Sequence, residues 1–336
     1  MLGAVLGTAG ASAAARGVAH HDLRAFLFGV LLMGMAQSAM QLGRFVAAEV
    51  HAAADRGRAI SRVVMGATVG AVFGPLAVGP AGTLAERAGQ DPLSGPYAVS
   101  ALLFVLVAVV LGLFLRPDPA ALARRIESAG SGGPPAAPRP LAEIFRDPLA
   151  ALAVVTMVCG QVVMVMLMVI TSVHMSHHHH PLSSIAVVIS SHVFGMFAFS
   201  VVAGRLTDRL GRIPVIAIGA AMLLAACASA PLSLRVFPLA ASLMVLGLGW
   251  NLCYVAGSTL LADRLNAGER GRAQGVNDFL IGAVSATGSL LSGAVFAAAG
   301  YAWMAACGGL VSIALLATAL LRLPRTKHFD WSPQRD

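Results

Sequence analysis

Long uncharged apolar runs alternate along this chain with short clusters of Arg, Gly and Pro. Residues 98–115 and 148–173 carry no charged side chain, and 273–321 carries only Asp278. A helix rises 1.5 Å per residue, so about 20 such residues cross the ~30 Å hydrocarbon core of a bilayer. Strands of a membrane barrel would instead alternate in polarity over about 10 residues, and no stretch here does. The pattern predicts ten membrane-spanning helices, over residues 2–19, 25–46, 60–83, 97–115, 148–173, 183–203, 213–230, 236–261, 274–298 and 301–321.

Composition strengthens that reading. Only 11% of the residues are charged, 57% are hydrophobic and the mean hydropathy is +0.80. A soluble domain carries about 25% charged residues to cover its surface. The net charge of +8 does not point to nucleic acid, because the basic residues gather at the ends of alternate spans. Arg16, Arg24, Arg87 and Arg235 lie in one set of connections, and the other 19 of the 23 basic residues lie in the opposite set or in the C-terminal tail. That asymmetry predicts a multi-pass protein of the cell membrane with both termini in the cytoplasm. Tyr97, Tyr301 and Trp303 fall where amphipathic rings favour the outer interface. Cys159, Cys227, Cys253 and Cys307 all fall inside spans, as small packing residues.

Residues 117–146 break the rhythm. Their Gly/Pro/Ala-rich sequence, SAGSGGPPAAPRP included, has no apolar period and reads as a cytoplasmic linker. Four predicted spans precede it, in 1–116, and six follow, in 147–322; residues 323–336 form a tail. An internal repeat sharpens this division. Glu49 and Asp55-Arg56-Gly57-Arg58-Ala59 recur 214 residues later as Asp263 and Glu269-Arg270-Gly271-Arg272-Ala273. Two parallel six-helix halves would generate such a repeat. The same offset leads us to expect two further spans upstream of Met1.

Gly204-Arg205-Leu206-Thr207-Asp208-Arg209-Leu210-Gly211-Arg212 resembles the loop signature G-x-L-x-D-R-x-G-R of the major facilitator superfamily. Gly66, Gly70, Gly74-Pro75 and Gly79 resemble the Gly-rich, Pro-containing helix motif of its drug/proton antiporters, which implies a helix kink at Gly70, Gly74 and Pro75. The stretches HMSHHHHPLSS, GWN and RGRAQGVND are similar to actinobacterial members. The resemblance covers nearly the whole chain. It implies an all-α polytopic bundle of 4 + 6 helices and secondary transport of a small molecule. No enzyme motif is present, and no cofactor is expected beyond a proton gradient as energy source. It also implies that Gly204, Asp208, Arg209, Gly211 and Arg212 form a cytoplasmic latch, with Gly204 and Gly211 permitting a tight turn between helices.

Candidate chemistry lies in the rare polar residues of the spans. Asp278 is the only acid inside one, and His192 lies near the middle of another; both are candidates for carrying a proton, with helix capping or hydrogen bonding as the structural alternative. Gln37 and Gln41 share a helix face, as do Trp250 and Tyr254, with Asn251 beside them and Gln161 mid-span on 148–173. These six are the candidate cargo contacts, the alternative for each being helix–helix adhesion. His174, His177, His178, His179 and His180, near Met157, Met164, Met166, Met168 and Met175, raise copper or zinc. Consecutive histidines do not all converge on one ion, and no metal site is expected. The composite expectation is a monomer that sits in the lipid bilayer and exports an organic or amphipathic compound in exchange for protons. The alternatives are a non-transporting membrane protein or a metal transporter.

Orientation is directly testable. Membrane-impermeant thiol reagents should modify single cysteines placed in 174–182 from outside the cell and spare those placed in 204–212. The reverse pattern would overturn the predicted topology.

Overall fold

The computed structural model describes residues 1–41, 66, 69–70, 73–114, 139–265 and 267–323. All regular structure among them is helical. In chain order the helices are α1 (Leu2–Ala19), α2 (Leu23–Gln41), α3 (Val78–Arg87), α4 (Ser94–Phe114), α5 (Leu141–Arg146) and α6 (Pro148–His177). There follow α7 (Leu182–Phe197), α8 (Ser200–Leu210), α9 (Arg212–Ser229) with a short 3-10 turn, α10 (Val236–Asp263) and α11 (Ala267–Leu321). The first copy of the internal repeat, at 49–59, and residues 60–65, 67–68 and 71–72 of the predicted span 60–83 lie outside the described residues, as do 117–138 of the linker.

Among the described residues seven stretches are long and apolar enough to cross a bilayer. The last of them, Gly271–Leu321, is 51 residues long and would reach about 75 Å unbroken. Gly300 breaks it, with φ 82° and ψ −178°, a backbone conformation that only glycine adopts readily. It therefore holds two predicted spans, 274–298 and 301–321. The helix α1, predicted to span, is not among the seven; its 18 residues are dominated by Gly and Ala and include Arg16.

Two details of the sequence reading are corrected. The segment 204–210, expected in a loop, is the second half of α8; the turn is confined to Gly211, whose φ of 88° is the only positive one there. Thr207 and Ala203 are buried while Val201 and Val202 are exposed, so an amphipathic period carries the helix to Leu210. The linker is also shorter than expected, because its end folds as α5, anchored by Ile144 at 2% exposure.

The chain divides into two compact units, residues 1–134 with 181–190, and 135–180 with 191–336. In the first, α1 packs on α2 and α4 through a stripe of small residues: Gly3, Gly7, Gly10, Ala14 and Gly17, all buried. A Cβ on Gly10 would stand 2.7 Å from the Gly29 carbonyl oxygen, and one on Gly29 2.5 Å from the Ala14 nitrogen. Backbones this close trade dispersion contacts along their whole length, which is what drives helix association in lipid.

In the second unit α6 packs on α10 and α11, and α9 packs on the same two helices. Met157, Leu167, Ile170, Leu223, Leu243, Leu246 and Leu261 fill the space between them, each below 2% exposure. Gly219 and Gly249 bring α9 against α10: a Cβ on Gly219 would lie 2.7 Å from Cys253 Sγ and 3.0 Å from the Gly249 oxygen.

That packing yields a prediction. Gly219→Ala forces an extra carbon into a closed contact and should cost about 1–3 kcal/mol, read as a lower melting temperature in detergent. Gly282→Ala, where a Cβ meets nothing within 4 Å, should leave the melting temperature unchanged or raise it. Equal behaviour of the two would refute tight packing at Gly219.

Candidate functional site

The polar residues inside the second unit fall into two sets. The first serves the bend between α7 and α8. The helix is interrupted at Ala198 and Phe199, and in hydrocarbon a freed carbonyl has no water to bond. Asn251 of α10 donates through Nδ2 to the Met196 carbonyl and, at 2.8 Å, to Ser200 Oγ, while Ser200 Oγ donates to the Phe197 carbonyl at 2.9 Å. Ser191 Oγ donates to the Ala240 carbonyl at 2.6 Å, and His192 Nδ1 lies 2.9 Å from the Leu243 carbonyl. A carbonyl only accepts, so His192 carries its proton on Nδ1. Asn251 is 3% exposed and His192 0%. Both residues are thus placed in a helix–helix interface. Among the described residues, His192 Nε2 and Asn251 Oδ1 are buried there without a protein partner.

The second set keeps hydrogen-bonding capacity. Asp147 caps α6, accepting from the Leu149 amide at 2.9 Å with Pro148 in the first turn, and this start carries Gln161 to the middle of the helix. Trp250 lies at the middle of α10. Its indole N–H donates to Gln161 Oε1 at 2.9 Å; Gln161 Nε2 donates to Ser285 Oγ at 2.8 Å; and Ser285 Oγ donates to the Ile281 carbonyl at 2.7 Å. Trp250 stacks on Tyr254 with centroids 4.9 Å apart and planes 14° from parallel, and Phe197 meets it edge-on at 6.2 Å. Trp250 is 9% exposed, whereas Gln161, Tyr254 and Ser285 are half-buried and reachable. Four helices (α6, α7, α10 and α11) thus converge on a flat aromatic pair with an amide beside it.

Ser285 and Phe197 were missed by sequence reasoning. Ser285 stands two helical turns beyond Asp278 on one face of α11, a spacing that would have revealed it. Asp278 itself is half-buried and accepts from Gln274 Nε2 at 2.9 Å, one turn earlier. In the first unit Gln37 is exposed on α2, and Gln41 ends that helix with its side chain outside the described residues. At Gly70 and Gly74 an added Cβ would meet nothing within 4 Å, and Pro75 is half-buried just before an irregular turn at Ala77.

The signature residues sit in an ion-pair lattice at the Arg-rich rim. Asp208 and Arg209 are exposed on α8, and Gly204 has open space beside it. Arg212 lies 4.0 Å from Asp208 but makes its closer bond, 2.9 Å, to Asp263 at the end of α10. Arg264 pairs with Asp147 at 2.6 Å, and Arg322 donates to the Pro148 carbonyl at 2.8 Å. Arg139 grips Glu269 with two parallel bonds of 2.8 Å, and its own amide donates to the same carboxylate at 2.9 Å. The Glu269 side chain is fully buried. Its bond raises the Arg139 pKa above its already high ordinary value. Asp147 is shifted the other way, below its ordinary range, by the Leu149 amide first and the Arg264 guanidinium second. Both acids of the second repeat copy, Asp263 and Glu269, are therefore anchors.

At the opposite rim the histidine run is used in ring stacking. His174 lies parallel to Tyr301 at 4.4 Å and edge-on to His178 at 4.7 Å, and His177 tilts against Phe296 at 5.6 Å. Tyr301 and Thr171 share a hydrogen bond of 2.7 Å. His177, His178 and His179 are exposed, and His180 is half-buried. Among the described residues no three His, Cys, Asp or Glu side chains gather as a metal site requires. Met157, Met164 and Met175 are core packing, at 1%, 6% and 0% exposure.

Comparison with known proteins adds the family context. A profile described as Major Facilitator Superfamily matches the chain twice, over residues 1–181 and 154–335. The chain is 34% identical over 291 residues to the uncharacterized MFS-type transporter YdeG of Bacillus subtilis, covering 85% of this chain and 67% of that protein. It is 34% identical over 304 residues to the uncharacterized MFS-type transporter YddS of the same organism, covering 87% and 68%. A third relative, the riboflavin transporter RfnT of Brucella anthropi, is 30% identical over 305 residues, covering 90% and 73%.

The Asp147 cap and ion pair predict a pH dependence. A lowered folded-state pKa stabilises the fold above the ordinary value of 3.8, and that contribution disappears as pH falls through the lowered value. Asp147→Ala should therefore melt earlier than wild type at neutral pH, by about 1 kcal/mol for the lost cap. The gap should narrow progressively below the ordinary carboxylate value. A gap independent of pH would refute the assignment.

Proposed function

The chain belongs to the major facilitator superfamily, and we propose that it is a secondary transporter exporting a small amphipathic organic compound in exchange for protons. The observation that carries this reading is the mid-membrane cluster of Gln161, Trp250, Tyr254 and Ser285. Its aromatic surface favours apolar rings, and its few polar groups favour a cargo with one or two hydrogen-bonding groups over a sugar or an inorganic anion. Asp278 and His192 are the proposed proton carriers. Asp278 is an acid within a span, where ionisable groups mark ion pathways. His192 keeps a buried ring nitrogen without a partner among the described residues, the position at which a proton would be taken up. The proposed latch works through Arg212, whose bond to Asp263 ties the start of α9 to the end of α10. In this reading both termini face the cytoplasm and the protein works as a monomer.

A second cargo is favoured by one observation. The stacked Trp250–Tyr254 pair suits a planar ring system, and the relative from Brucella anthropi is named a riboflavin transporter. Riboflavin itself is therefore the alternative substrate.

Everted membrane vesicles carrying the protein provide the test. An imposed pH gradient should accelerate accumulation of lipophilic cations or riboflavin over control vesicles. Asp278→Asn and His192→Ala should each abolish or shift that pH dependence. If both variants keep the wild-type pH profile, neither residue carries the proton.

A further inference from the structure

The amide of Gln161 has a fixed orientation. An indole N–H only donates, so the atom facing Trp250 at 2.9 Å is the amide oxygen. The nitrogen consequently faces Ser285, whose own hydroxyl proton is committed to the Ile281 carbonyl, leaving its oxygen to accept. A primary amide offers two donors and two acceptor positions. Among the described residues one of each is consumed by these bonds, and one of each remains on a side chain that is only half-buried. Beside it stands the Trp250–Tyr254 stack, with Tyr254 also half-buried.

A flat surface next to one donor and one acceptor is complementary to a particular chemistry. Aromatic faces hold a planar ring of any kind, but the free N–H and C=O of Gln161 match a ring edge that presents a carbonyl and an N–H side by side. We propose that Gln161 reads such a lactam or imide edge, so that this site selects planar heteroaromatic molecules bearing it over flat hydrocarbons or ring cations of equal size. Selectivity of this kind is stronger than a difference in ring area, because a bound ligand without the edge covers the amide's remaining groups and leaves them unpaired. The indole bond places the reader: it holds the amide against the stack and prevents it from turning over. This inference deepens the transporter reading and rests on it for the site's use, but its test is one of binding.

The full chain in lipid nanodiscs would be titrated with lumichrome, a fluorescent flat tricycle with an imide edge, and with lumichrome methylated at both N–H positions of that ring. Quenching of ring fluorescence reports stacking. Wild type should prefer the unmethylated compound by about tenfold, the worth of one or two net hydrogen bonds. Gln161→Leu should erase the preference while leaving the methylated compound's affinity unchanged. Gln161→Glu, which keeps acceptors for Trp250 and for the ligand N–H but loses the donor to the ligand carbonyl, should retain part of it, and melting curves would verify that both variants fold. Equal binding of the two compounds by wild type, or binding of neither, would overturn the proposal. Loss of both ligands alike in both variants would also overturn it, by reducing Gln161 to a prop for Trp250. Export of lipophilic cations without this preference would sink the edge reading and keep the transporter. A preference without movement across vesicles would do the opposite.

Discussion

In hydrocarbon a polar backbone group that loses its helical partner has no solvent to accept it, and the interior of the second unit is arranged around that constraint. The bend between α7 and α8 survives because Asn251 reaches across from α10 to the Met196 carbonyl. It can reach because Gly195 and Gly247 leave no side chains between the two helices; a Cβ on Gly247 would lie 2.9 Å from the Met196 nitrogen. Ser191 and His192 extend the same seam with bonds to α10 carbonyls. Small residues permit the approach and polar residues fasten it.

This constraint also separates adhesion from recognition. Asn251 spends its donor on the backbone of a bend and is sealed from contact. Gln161 spends half its capacity on side chains and leaves the other half reachable. Both are mid-membrane amides, and sequence position alone treats them alike. The difference lies in what each one touches: a helix bend consumes a partner, whereas a ring and a hydroxyl orient one.

The apolar runs made the spans legible, because length and hydropathy are local properties of the chain. The break near residue 300 was legible too, since glycine between two apolar runs leaves few other outcomes. The small-residue stripe of α1 was harder to read, because Gly3, Gly7, Gly10, Ala14 and Gly17 look like weak hydropathy until a partner helix is seen against them. The signature at 204–212 was recognised, but both of its glycines were assigned to a tight turn that Gly211 makes alone. Least legible were the ion pairs. Arg139 and Glu269, or Asp147 and Arg264, are more than a hundred residues apart, and no local period links such partners. The repeat hinted at Asp263 and Glu269 as special without revealing that each holds an arginine. Trp250 and Tyr254 share a face, as their spacing of four implies, whereas Ser285, which its spacing from Asp278 could have revealed, was picked out by the bond that Gln161 gives it.

The lattice at the Arg-rich rim has a mechanical consequence. Arg139, Arg212, Arg264 and Arg322 together clamp the ends of α6, α9, α10 and α11, while the far end of α6 meets α11 at its Gly300 break through ring stacking and one hydroxyl pair. Charged bonds resist both sliding and separation, whereas stacked rings resist separation but glide. Such a bundle has unequal compliance, stiff at one end and yielding at the other, like a brush bound at the ferrule. It is expected to yield first at the stacked end, around His174 and Tyr301, and last near Glu269.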